Sequence, residues 1–94
     1  MKHHILVKWN EKVTDKQALL PEIEALFQGT LAVPGVRGVS LHPNVIDRPN
    51  RYDLLILIDM EIAARPAYDA CDAHHAWKDG YGHLIEKKAI FDCE

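Results

Sequence analysis

Four of the six histidines stand in adjacent pairs, His3-His4 near the start and His74-His75 later, with Cys71 and Asp72 just ahead of the second pair and Tyr68 six residues before His74. A neutral imidazole whose pKa lies near the working pH takes a proton from a carbon beside a carbonyl without a metal, so His74 is a candidate general base. Tyr68 can orient that ring or donate to the enolate oxygen that forms. The plainer alternative is that His74 packs or caps a helix end and Tyr68 is its structural partner.

Imidazole, thiolate and carboxylate are all zinc ligands, but their spacing here does not make a metal site. Neighbours on a strand point to opposite faces, which separates His3 from His4, and His74 and His75 diverge by roughly 100° on a helix. Cys71 with His74 supplies only two ligands, so no metal is expected. Cys71 near a helix N-terminus can be an activated thiol, although a lone cysteine is more often a small hydrophobe.

The elements that must position these groups follow from hydrophobic spacing. His3 to Trp9 alternates as a strand, with His3, Ile5, Val7 and Trp9 on one side and His4, Leu6 and Lys8 on the other. Thr14 and Gln17 have the form of a capping box ahead of Leu19, Leu20, Ile23, Leu26, Phe27 and Leu31, which recur at helical spacing. Pro21 then either kinks that helix or marks a start near Leu20. Val33-Pro34-Gly35 ends it, Val36 to Leu41 is a second strand, and Pro43 to Arg51 is a loop.

Five large aliphatic residues in succession, Leu54 to Ile58, lie between Asp53 and Asp59. Such a strand has no polar face to give to water, so both sides must be covered. Leu54, Ile56 and Ile58 belong to one face and Leu55 and Leu57 to the other; the pattern does not say which set meets the helices. A short helix follows from about Ala63 to near Cys71, with Pro66 tolerable in its first turn. Asp72 can cap a second, in which His74, Trp77, Tyr81, Leu84 and Ile85 share a face, and Lys87 to Cys93 is the last strand.

The order strand, helix, strand, strand, helix pair, strand suits an α+β, ferredoxin-like βαββαβ antiparallel sheet of four strands with its helices on one face. A second copy related by two-fold symmetry would cover the other face, so a homodimer is expected.

Ninety-four residues make a single domain, 1–94, with a modest core of its own. A net charge of −3 with no Lys/Arg cluster gives no footprint for nucleic acid. No stretch approaches the roughly 20 apolar residues of a membrane span. Cys71 and Cys93 do not make a disulfide framework, which points to free thiols and a cytoplasmic setting.

Lys2 to Trp9, Val33-Pro34-Gly35-Val36-Arg37, Asn44-Val45, Arg51-Tyr52-Asp53, the Tyr68–His74 spacing and Ile90-Phe91-Asp92 together resemble the stress-responsive dimeric α/β-barrel (Dabb) family over nearly the whole chain. The resemblance implies ferredoxin-like protomers whose sheets face each other as a dimeric α/β barrel. The family usually has His-Pro-x-His entering the last helix; Cys71, Asp72, Ala73 and His74 stand there, so the first His and the Pro are missing. A plant polyketide cyclase of this family closes a ring by an aldol step without a cofactor. By that likeness His74 is the base and Tyr68 its assistant, with His3 and Asp92 beside the pocket.

Three readings stand open at this point. One is a small-molecule pocket between sheet and helices, with Trp77 and Phe27 among its lining, that either binds or enolises and cyclises a carbonyl compound. Another is a structural or stress-linked interaction protein, in which Tyr68 and His74 are hydrogen-bonded in a packed interior. A third, a cofactor-independent monooxygenase, needs a large aromatic pocket that no residue singles out.

Overall fold

A single antiparallel sheet is built from β1 (Lys2–Trp9), β2 (Val36–Pro43), β3 (Leu54–Met60) and β4 (Ile85–Cys93) in the order β2-β3-β1-β4. The computed structural model describes all residues, Met1–Glu94. Between the strands lie α1 (Leu20–Gln28), α2 (Arg65–Ala70) and α3 (Asp72–Tyr81), giving the expected strand and helix order with the last helical segment split in two.

Register assigns the two faces. His3, Ile5 and Val7 stand opposite Ile58, Ile56 and Leu54 on one side of β1 and opposite Asp92, Ile90 and Lys88 on the other. All six of the β1 and β3 residues in that set are buried, as are Ile23, Phe27, Tyr68 and Trp77 from the helices above them. The Leu54/Ile56/Ile58 set therefore meets the helices. Leu55 and Leu57 are half-buried on the opposite face, beside Leu6 of β1. Phe91 of β4 shares that face at 61% exposure, its ring edge-on to His4. An apolar stripe is thus left open along the middle of the outer face.

Proline chemistry sets where the helices begin. Pro21 and Pro66 both fall in first turns, where a missing N–H loses no helical bond. Thr14 consequently caps nothing: α1 starts at Leu20, after a 3₁₀ turn over Gln17–Leu19 whose Ala18 N–H donates to Asp15 Oδ1 at 3.3 Å. The expected cap at Asp72 is also corrected. Cys71 is the N-cap of α3, with extended backbone (φ −73°, ψ 158°) and its Sγ accepting from the His74 N–H at 3.4 Å. Asp72 lies in the first turn, where its charge suits the positive end of the helix.

Gly35 follows Pro34 with φ +94°, and a Cβ there would come within 2.8 Å of the Ala64 Cβ. That turn lets the chain leave α1 and enter β2 while β3 delivers α2 alongside it. At the far end of the sheet Asp53 ties the long loop down, accepting from the Trp9 N–H at 2.8 Å and from Lys16 Nζ at 2.8 Å.

The helical layer is narrower than the sheet. Ile90 on β4 faces the helices by register yet is 48% exposed, and Lys88 beside it is exposed too. A gap remains between β4 and the α2–α3 pair.

Candidate functional site

That gap is a cavity of 140 Å³ lined by His3 and Ile5 of β1, Lys88 and Ile90 of β4, Arg65 and Asp69 of α2, and His74, Trp77 and Lys78 of α3. Behind it lies Tyr68, 0% exposed, with its ring 5.4 Å from that of His3 and 5.1 Å from that of His74, centroid to centroid. Strand pairing brings His3 and Asp92 opposite each other, and the His3 Nδ1 lies 2.5 Å from Asp92 Oδ1. His3, Tyr68, His74 and Asp92 therefore come together from the two ends and the middle of the chain.

Each histidine has its tautomer set by what it touches. The His74 Nδ1 is 2.9 Å from the Asp69 carbonyl oxygen, which can only accept, so Nδ1 carries the hydrogen and Nε2 keeps its lone pair. Asp92 likewise accepts the Nδ1 hydrogen of His3, through a carboxylate, and holds that ring in place. Burial holds the His74 imidazole below its ordinary pKa; the Asp69 carbonyl and carboxylate oppose this, and the neighbouring Lys78 and His75 add to it. His74 is thus a neutral ring with a free basic nitrogen at neutral pH.

Tyr68 is the exception to good packing. Its hydroxyl is fully buried and has no hydrogen-bond partner in the protein. A buried hydroxyl left unbonded costs about 1–3 kcal/mol. Burial first, and then the nearby Cys71, Asp69 and Asp92 side chains, push the phenol far above its usual value, so it remains an O–H donor. Tyr81, by contrast, donates to Glu22 across the α1–α3 contact at 2.5 Å.

Trp77 lines the cavity at one edge, 1% exposed and stacked against Tyr81. Phe27 packs edge-on to Trp77 on the far side, 5.2 Å away, and lines no cavity. Tyr68 and His74 are in ring contact without a hydrogen bond, beside open space; the packed, bonded pair expected of a purely structural protein is absent. His4 lies on the outer face, its Nδ1 3.0 Å from the Phe91 carbonyl, away from His3.

Larger clefts of 230, 370 and 400 Å³ lie elsewhere, around Lys16 and Asp53, around Leu6 and Tyr52, and around Val33 and Cys71. Tyr68, whose hydroxyl is the one buried polar atom left without a partner, lines none of the four; it lies behind the smallest, whose lining includes the His3 and His74 rings beside it, and that neighbourhood rather than size selects the smaller cavity. Arg65, Asp69, Lys78 and Lys88 were not expected there from sequence. Only Lys78 carried a signal, since it lies four residues after His74 on one helix.

No family model and no curated protein matches the chain. Solved structures do. A dimeric ferredoxin-like protein of unknown function from Thermobifida fusca superposes with a TM-score of 0.78 at 17% identity, over 96% of this chain and 85% of its own. The chain has the ferredoxin-like fold. A dabb family protein with a ferredoxin-like fold from Mesorhizobium loti matches at TM-score 0.71 and 14% identity, covering 99% of this chain and 93% of that one. A hydroxynitrile lyase from Passiflora edulis matches at TM-score 0.72 and 11% identity, over 96% and 87%. No helix of the protein is long and apolar enough to cross a membrane.

Proposed function

We propose that this chain is a homodimeric protein of the stress-responsive α/β-barrel (Dabb) kind whose work is done at a small-molecule site formed by Tyr68, His74, His3 and Asp92. The observation that carries the site is the buried Tyr68 hydroxyl with no protein partner, held between two histidines whose rings border a cavity. Orphaned buried donors are rare in native proteins, and a ligand oxygen is one partner that would account for this one. Support for the dimer comes from the open apolar stripe of Leu6, Leu55, Leu57 and Phe91 and from neighbours of this fold described as dimeric. The two free cysteines suit a cytoplasmic setting.

A second reading, catalysis at the same site, is favoured by the His74 tautomer. With Nδ1–H committed to Asp69, Nε2 can take a proton from a carbon beside a carbonyl. The electron pair then moves onto the carbonyl oxygen, to which Tyr68 donates, the enolate carbon attacks a second carbonyl of the same molecule to close a ring, and the alkoxide so formed takes the proton back from His74. That reaction needs no cofactor. A hydroxynitrile lyase of the same fold is among the solved structures.

The test is a thermal-shift screen of carbonyl metabolites on the wild type and His74→Ala side by side. The binding reading expects a compound that raises the midpoint of the wild type and leaves His74→Ala unmoved. Equal stabilisation of both proteins by every hit would overturn it.

A further inference from the structure

The charges around the cavity are at odds with the rest of the chain. The protein carries a net charge of −3, yet Arg65, Lys78 and Lys88 line a space of 140 Å³ together with two histidines and a single acid, Asp69. The nearest other carboxylate, Asp92, is engaged by His3. Arg65 reaches Asp69 only at 3.9 Å, and neither Lys78 nor Lys88 has an acid within ion-pair distance. The three cations come from α2, α3 and β4, so folding assembles them; Lys87, next to Lys88 in sequence, is turned to the outer face by the strand alternation. All three side chains are exposed, so they make a positive rim around the opening that favours an approaching anion.

Size narrows the ligand further. A cavity of about 150 Å³ accommodates benzene, so a half-open one of 140 Å³ suits a compact ligand end of roughly six non-hydrogen atoms. We propose that the ligand is a compact carboxylate, its carboxyl held at the mouth by Arg65, Lys78 and Lys88 and its uncharged end, bearing a carbonyl or an aromatic ring, directed toward His74 and Tyr68. This rests on the site proposed above and adds the charge, size and orientation of what enters it. Trp77 and Ile90 supply the apolar walls for the uncharged end, and His74 is the polar group that faces it across the cavity.

The experiment compares acids with neutral analogues of nearly the same shape: acetoacetate with methyl acetoacetate, and benzoate with benzamide. Binding is measured by calorimetry on wild type, His74→Ala and a Lys78→Gln/Lys88→Gln double variant, and by the ring-proton NMR signals of His74 in the two proteins that keep it, with inorganic phosphate as a small anion lacking an apolar end. The carboxylate proposal expects each acid to bind about tenfold or more tighter than its neutral partner, as charge-assisted bonds do. It also expects that advantage to shrink in the double variant and in 0.5 M salt, roughly five times the ionic strength at which the screening length is ~10 Å. If acid and neutral analogue bind equally and His74→Ala abolishes both, the site stands and the carboxylate assignment falls. If none of the compounds binds in a His74-dependent way, both fall. Phosphate binding as tightly as the acids and unaffected by His74→Ala would mark the cations as a surface patch and overturn the assignment.

Discussion

Replacing Tyr68 by Phe should make the protein more stable and less functional at once. The ring is fully buried against His3 and His74, and phenylalanine keeps those contacts. Only the hydroxyl is lost, and it has no partner to lose with it. Relief of an unbonded buried hydroxyl is worth about 1–3 kcal/mol at most, and for a domain of this size each kcal/mol moves the melting midpoint by about 4–8 °C. A rise of about 4 °C or more is expected by calorimetry or circular dichroism, with the oligomeric state unchanged. Ligand affinity should fall by about tenfold, since a hydrogen bond worth roughly 1.4 kcal/mol is tenfold in a dissociation constant. A drop in the midpoint would refute the reasoning. It would mean that the hydroxyl is bonded within the folded protein and is not held in reserve for a ligand. The trade of stability for a working group is a recurrent property of functional sites.

Tyr81→Phe should move stability the other way, because its hydroxyl donates to Glu22; losing a bond to a charged acceptor costs about 1.5–3 kcal/mol, read by urea unfolding. Leu57→Lys on the outer face should convert the proposed dimer to a monomer by light scattering with the far-ultraviolet spectrum unchanged. Two copies of a buried leucine contribute about 3 kcal/mol or more, roughly a hundredfold in dissociation constant, and an undiminished dimer would show that another surface makes it. His74 is held below its usual pKa mainly by burial, so any activity that uses its free nitrogen should persist as pH falls through about 6.5 and disappear only below it. The same shift sets the sign for stability. The folded state takes up this proton later than the unfolded chain, so stability is intact above about pH 6.5 and declines as pH falls toward the folded-state value, a decline that His74→Gln should remove.

How much of the site could be read in advance differs from residue to residue. The spacing of Tyr68 and His74 placed both near one helix junction, and the alternation of β1 separated His3 from His4 before any coordinates. The pairing of His3 with Asp92 needed the register of β1 against β4, which depends on residues nearly the whole chain apart. Arg65, Lys78 and Lys88 look like ordinary surface charges in the sequence, and only the docking of α2 and α3 short of β4 turns them around one cavity. The Cys71 cap escaped because an aspartate beside it is the commoner capping residue, and the backbone angles at Cys71 decided otherwise. Phe27 was grouped with the lining because aromatics at helical spacing can face either core or cavity; packing put it in the core.

The sequence by itself determined parity and punctuation: which residues of each strand share a face, that β3 must be covered on both sides, and where Pro21 and Pro66 allow a helix to begin. These are local properties, set by the two-residue repeat of a strand and the missing amide of a proline. The tertiary structure alone decided that Leu54, Ile56 and Ile58 meet the helices while Leu55 and Leu57 remain for another layer, and that the helical layer stops before β4. Both depend on how whole elements dock, a balance of non-local packing that no window of sequence contains. The buried hydroxyl of Tyr68 is the sharpest case, since a donor is unpartnered only with respect to everything folded around it.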